Sequence, residues 1–239
     1  MPASAASHSP LKNQLLASLS GEEYERLLPH LKHVSLPISE ILCEAGDVMK
    51  YAYFPLSGMI SMLSIQVDGA NVEVGVIGSD GMLGLPIFLG NGIAPNKAIV
   101  QVSDNAMSMR VEADILRAEF KRAGPMQALL LRYTQAFFTQ VSQSAACNRL
   151  HSLDQRLCRW LLVVHDRMES DHFRLTQEFI SQMLGTRRSG VSEAASILQN
   201  AGLINYSHGK IHIINRKGLE SGSCECYRIV KDMSARLLV

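Results

Sequence analysis

Leu175-Thr176-Gln177-Glu178-Phe179-Ile180-Ser181-Gln182-Met183-Leu184-Gly185-Thr186-Arg187-Arg188-Ser189-Gly190-Val191-Ser192-Glu193-Ala194-Ala195-Ser196-Ile197-Leu198 reads as two short helices joined at a glycine. Thr176 is placed to cap the first helix, and Gly185 suits the left-handed conformation that ends it. The second helix is expected to start near Arg187. Its apolar residues Val191, Ala194, Ala195 and Leu198 fall at i, i+3, i+4 and i+7, a buried face, which leaves Arg188, Ser189, Ser192, Glu193 and Ser196 on the opposite side. Ala201-Gly202 ends that helix, and Leu203 to Tyr206, Ser207-His208-Gly209-Lys210 and Ile211 to Ile214 read as a small hairpin, a wing.

A short polar helix face of this kind suits the major groove of double-stranded DNA, where the first turns meet base edges. Arg188 is the candidate for a bidentate contact with guanine, worth about 1 to 3 kcal/mol of discrimination. Ser189, Ser192 and Ser196 would serve bases or phosphates, and Glu193 would accept from a cytosine amino group or orient Arg188. Thr176 and Gln177 are placed for phosphate contacts, which fix register without reading sequence. Arg187 and the wing residue Lys210 complete the candidate DNA-binding set. Between Arg174 and Lys217 there are six basic residues (Arg174, Arg187, Arg188, Lys210, Arg216, Lys217) against the two acids Glu178 and Glu193. This local excess favours a polyanion although the whole chain carries only +1, and a solvated basic face would look the same.

Working outward, the chain of 239 residues has 47% apolar and 19% charged residues, ordinary for a soluble globular protein. No apolar run approaches the roughly 18 residues that suggest a spanning helix, and Met1 to Pro10 lacks a secretion-signal pattern, so no membrane partner and a cytoplasmic location are expected. From about Val34 to Val111 the signal is strand-like. Val72, Val74 and Val76 alternate with other residues, and Asp68-Gly69 marks a hairpin after the stretch Met59 to Val67. Many short strands imply an antiparallel jelly roll or barrel. Dense Gly and Pro punctuation from Gly78 to Pro95 implies sharp turns or close approaches, a natural place for a ligand.

After Pro125 a helical pattern takes over, and Met126 to Ser152 is free of Gly and Pro. Leu130, Tyr133, Phe137, Gln140, Ser144 and Cys147 form one stripe at spacings of three and four, which fits a coiled-coil seam and fits packing on the chain's own barrel equally well. Ser142, Ser144, Ala145 and Ala146 are small enough for close approach of a second helix. Leu153 to Met168 continues with a different apolar face, and Glu169-Ser170-Asp171-His172 breaks it. The fold expected is α+β: residues 1–124 a β jelly-roll or barrel sensory domain, 125–152 a long dimerisation helix, 153–239 a winged helix-turn-helix domain.

On these features, above all the carboxy-terminal motif, the chain resembles the Crp/Fnr family of bacterial regulators over nearly its whole length. The resemblance implies a homodimer formed through the long helix, binding to a two-fold symmetric DNA site, and a sensory domain like those that bind cyclic nucleotides. Arg188 and Ser189 fall where the family's base-reading residues lie, and Glu193 stands at a position that is often basic. Gly81-Met82-Leu83 corresponds to the family's ribose-binding Gly-Glu-Leu, and Lys97-Ala98 to its phosphate-binding Arg-Ala. These five residues are the candidate effector site, but Met82 cannot accept a ribose hydroxyl as a carboxylate does, and Lys97 offers a point charge rather than a planar fork. Cyclic AMP in that mode is therefore not expected. Lys97 is either an anion ligand or a solvated lysine beside a turn.

No cofactor is assigned. Cys43 is the single cysteine in the first 146 residues, which argues against an amino-terminal iron-sulfur cluster. His30, His33 and methionines are available to haem, but isolated histidines are usually surface or core filler. The five scattered cysteines imply no disulfide framework. Cys224 and Cys226 form a C-x-C pair that could bind metal or respond to oxidation; without a nearby His or further Cys the site is incomplete, and the pair is read as structural. Three functions compete: a ligand-modulated DNA-binding regulator, a DNA-binding regulator whose barrel is only a dimerisation scaffold, and a cyclic-nucleotide-controlled enzyme. The last fares worst, because no nucleophile-base pair, phosphate-cradling loop or complete metal-ligand set is legible. Activation would need a surface for RNA polymerase, a further partner that no motif marks.

Overall fold

The computed structural model describes residues 9–102, 106–168 and 170–237. In chain order the elements are α1 (Gln14–Ala17), α2 (Gly21–Leu27), β1 (Lys32–Leu36), β2 (Ile41–Cys43), β3 (Tyr51–Pro55), β4 (Met59–Ile65), β5 (Asn71–Ile77), α3 (Leu85–Leu89), β6 (Lys97–Val102) and β7 (Ala106–Glu112). There follow α4 (Ala113–Lys121), α5 (Pro125–Leu150), α6 (Leu153–Arg167), β8 (His172–Arg174), α7 (Gln177–Met183), α8 (Arg188–Asn200), β9 (Ile204–Ser207), β10 (Lys210–Ile213), α9 (Arg216–Gly222) and α10 (Cys226–Leu237).

The amino-terminal strands form two antiparallel sheets, ordered β1-β7-β3 and β2-β6-β4-β5. Alternate residues of β3 and β7 turn inward, so Ala52, Phe54, Met109 and Val111 are all buried in one core with Leu15, Leu16, Leu116, Leu130 and Tyr133 from the helices. Asp68-Gly69 lies in the β4–β5 connection: Gly69 takes a left-handed φ of 84°, and the Asp68 carboxylate accepts from the Ala70 amide at 2.9 Å. A helical segment precedes Pro125, contrary to the sequence reading. α4 follows β7 directly, and its buried Ala113 and Leu116 join the amino-terminal core.

The long helix α5 carries two stripes with opposite fates. The stripe Leu130, Tyr133, Phe137, Gln140, Ser144, Cys147 turns to the chain's own body: Tyr133 donates to the Met82 carbonyl at 2.9 Å, and Gln140 Oε1 accepts from the Val76 amide at 2.6 Å. Of the two readings left open, this stripe takes the intramolecular one. The other stripe, Ala128, Leu131, Gln135, Phe138, Ser142 and Ala145, is exposed, with Phe138 showing 71% of its surface.

The glycine-rich segment does pass close to something, namely α5 and α6. A Cβ on Gly81 would lie 2.5 Å from the Tyr133 hydroxyl, and one on Gly78 would lie 2.7 Å from the side chain of Arg167. Arg167 completes the contact with an ion pair of 2.6 Å to Asp80. No helix among the described residues is long and apolar enough to cross a membrane.

Candidate nucleic-acid interface and effector cavity

The carboxy-terminal domain is built around α6, whose buried Leu157, Trp160, Leu161 and Val164 receive α7, α8 and the small sheet. Thr176 caps α7 as its sequence suggests, its hydroxyl accepting from the Phe179 amide at 3.1 Å. Gly185 ends the helix pair's first member at φ 56°. Val191, Ala194, Ala195 and Leu198 are all at most 5% exposed, which fixes the rotation of α8 and turns its first-turn polar residues outward. The wing is three-stranded, ordered β8-β10-β9, because His172, expected in the break after α6, begins a strand that pairs with β10. His208 and Gly209 both adopt positive φ, 51° and 72°, the primed turn that matches the twist of a two-residue hairpin.

Arg187 precedes the first residue of α8 and Arg188 is that residue; both are exposed, and neither is held in an ion pair among the described residues. Ser189 and Glu193 are exposed on the same side. Gln177 donates to the hydroxyl of Ser192 at 3.4 Å, so these two brace α7 against α8. The Ser196 hydroxyl donates to the Ser192 carbonyl at 2.8 Å and is thereby spent within the helix. Lys210 is exposed at the start of β10. Arg216, counted above as part of the basic excess, is drawn instead into ion pairs with Asp166 at 2.6 Å and Glu220 at 3.0 Å. Arg187, Arg188, Ser189 and Glu193 thus lie on the first turns of α8, Gln177 and Ser192 join the starts of α7 and α8, and Thr176 lies against the wing turn, 3.6 Å from a Cβ placed on Gly209, the residue before Lys210.

The five candidate effector residues do not form one cluster. Met82 and Leu83 line a largely apolar cavity of about 360 Å³ with Met62, Ile77, Leu89 and Phe137. Leu83 also bridges Tyr53 through paired backbone bonds of 2.9 Å. Gly81 is pressed against Tyr133, and Ala98 is buried in β6. Lys97 pairs with Glu44 at 3.0 Å and its side chain is 20% exposed, so it is not the fully solvated lysine of one reading.

The reading of Cys224 and Cys226 as a pair with no further His or Cys nearby is corrected. Cys147 and His151, the last turn of α5 and the residue after it, meet them at the start of α10, with Cys147 Sγ 3.5 Å from Cys224 Sγ. The signal lay in the Cys147-x-x-x-His151 spacing, which puts both side chains on one helical face. What hid it was the 77-residue separation between Cys147 and Cys224.

Residues 155–221 match the model of the Crp-like helix-turn-helix domain, and residues 33–122 match that of the cyclic nucleotide-binding domain. No curated protein matches the chain. Among solved structures, a crp/fnr-family protein from Eubacterium rectale is similar at 19% identity, with 87% of this chain and 96% of that one covered and a TM-score of 0.67. FixK2 from Bradyrhizobium japonicum is 15% identical, covering 81% and 98%, TM-score 0.65. The c-di-GMP responsive global regulator CLP from Xanthomonas campestris is 16% identical, covering 81% and 99%, TM-score 0.64. At these identities the likeness is one of fold.

Proposed function

The chain belongs to the Crp/Fnr family of transcription regulators, and from that premise we propose that two copies join along α5 and present two α8 helices to a two-fold symmetric DNA site. The observation that carries the reading is the exposed first turn of α8, where Arg187, Arg188 and Ser189 stand free of ion pairs on a helix whose opposite face is fully buried. Arg188 reads a guanine through two parallel hydrogen bonds, and Ser189 and Glu193 contact neighbouring base edges. Thr176, Gln177, Arg187 and Lys210 hold phosphates, with Ser192 positioning Gln177 and Ser196 in a minor role. The barrel of residues 1–124 and the helix of 125–152 set the separation of the winged domains, 153–239.

An effector enters this scheme through the cavity beside Met82 and Leu83, where Phe137 of α5 forms part of the wall. A ligand there shifts DNA affinity only by preferring one geometry of α5 over another. The lining calls for a compact, mostly apolar molecule rather than a cyclic nucleotide held by Lys97.

Selection of bound sequences from random duplex DNA, with and without a metabolite fraction, tests the scheme. A symmetric consensus with steeply salt-dependent affinity is expected, and absence of binding to any duplex sinks it. In the Arg188→Ala variant one base position per half-site should relax, at a cost of about 1 to 3 kcal/mol. An unchanged consensus removes Arg188 as reader. If no small molecule alters affinity, the barrel is a scaffold only.

A further inference from the structure

Cys147, His151, Cys224 and Cys226 gather where the end of α5 meets the start of α10, and their ligating atoms all fall within 4.8 Å of one another. We propose that these four side chains form a closed Cys3His site for a single zinc ion. Tetrahedral zinc, with bonds of about 2.3 Å to sulfur and about 2.05 Å to nitrogen, requires edges of roughly 3.8 Å between two sulfurs and roughly 3.5 Å between sulfur and nitrogen. Cys147 Sγ and Cys224 Sγ are 3.5 Å apart, and Cys226 Sγ is 3.7 Å from His151 Nδ1. Both edges are within a few tenths of an ångström of the ideal before any ion draws the ligands in. The sulfurs are free thiols, too far apart for the roughly 2.05 Å of a disulfide.

The surroundings suit the ion as well as the ligands do. His151 Nε2 lies 3.3 Å from the Glu225 carboxylate, an arrangement that places the ring proton on Nε2 and leaves the Nδ1 lone pair for the metal. The three cysteines are at most 3% exposed, so the site excludes water from a fifth position, as structural zinc sites do. Loading exchanges three thiol protons for the divalent cation, releases them to solvent, and changes no oxidation state. The resulting centre carries one negative charge, and the guanidinium groups of Arg156 and Arg159 act on the same cysteines.

The test uses the full chain, purified under reducing conditions without chelator. Elemental analysis should find about one zinc per chain, and cobalt substitution should give the intense visible bands of a tetrahedral thiolate site. Cys224→Ser and Cys226→Ser should each lose at least about tenfold in metal content, while Cys43→Ser, altered in the barrel, should keep it. Glu225→Gln, an exposed change compatible with folding whatever the cysteine variants do, should weaken zinc affinity by about 10- to 100-fold. Zinc content that is the same in native chain and cysteine variants overturns the proposal. So does a reduced native chain that takes up neither zinc nor cobalt.

Discussion

Glu73 shows how much one residue can impose on the two halves of this chain. It sits on β5, half-buried at the junction, and accepts from Trp160 Nε1 of α6 at 2.9 Å while its other oxygen meets Ser61 Oγ at 2.6 Å. Ser61 also touches Gln101 Oε1. One hydroxyl proton cannot serve both acceptors, and a proton on Glu73 resolves the conflict by letting Glu73 donate to Ser61 and Ser61 to Gln101. Burial accordingly pushes the Glu73 carboxyl up from 4.5 to about 7, against the opposing pull of Ser61, Trp160 and Arg159. Because the folded value lies above the unfolded one, the contribution to stability is complete below pH 4.5 and is lost as pH rises through about 7. The limiting slope is about 1.4 kcal/mol per pH unit in that window. Glu73→Gln keeps the Trp160 bond and removes the proton, so urea unfolding should show a flatter profile from pH 5 to pH 8; an unaltered slope refutes the assignment. None of this was legible beforehand, since Glu73 looks like any polar position of a half-exposed strand. The α8 readers were legible because local helical spacing alone separates Val191 and Ala195 from Arg188 and Ser189. Lys97 was not, because its partner Glu44 is 53 residues away.

At the scale of elements, α5 explains why a heptad-like stripe is ambiguous in a sequence. A helix of 26 residues with small and apolar side chains all round offers more than one stripe, and spacing cannot say which one meets the barrel. The stripe through Tyr133 and Gln140 does so, because those residues have polar ends that reach the Met82 carbonyl and the Val76 amide. The stripe through Leu131 and Phe138 stays exposed, and it is the face of α5 that the proposed dimer would bury. Phe138→Asp should therefore convert a dimer to a monomer in sedimentation while leaving helical content intact. Loss of two buried phenyl groups amounts to about 3 to 6 kcal/mol per dimer. A variant that remains dimeric places the interface elsewhere. α4, α9, α10 and β8 escaped the sequence reading because each is short or lies beside a stronger signal, and tertiary packing rather than propensity decides such elements.

Across the whole molecule each half has its own core, and the barrel lends three buried residues to that of the carboxy-terminal half. Met59, Leu63 and Val76 of the barrel pack in the same apolar cluster as Trp160, Leu161 and Leu198. Glu73 with Trp160 and Asp80 with Arg167 add polar ties at the same junction. Arg167 is only 10% exposed on its side chain, so Arg167→Met should cost about 1 to 3 kcal/mol and split a single calorimetric transition into two. A single transition at the native temperature would show that the apolar cluster alone couples the halves. The meeting of Cys147 with Cys224 has a last consequence, which concerns connectivity rather than chemistry. The chain runs into the winged helix after Cys147 and comes back to the same place at Cys224, where the two sulfurs are 3.5 Å apart. A segment whose ends meet is topologically an inserted cassette, but this one is also fastened along its flank: a replacement spliced between the same anchors would have to restore the apolar contacts with Met59, Leu63 and Val76 and the Asp80–Arg167 pair, or leave that face of the barrel bare.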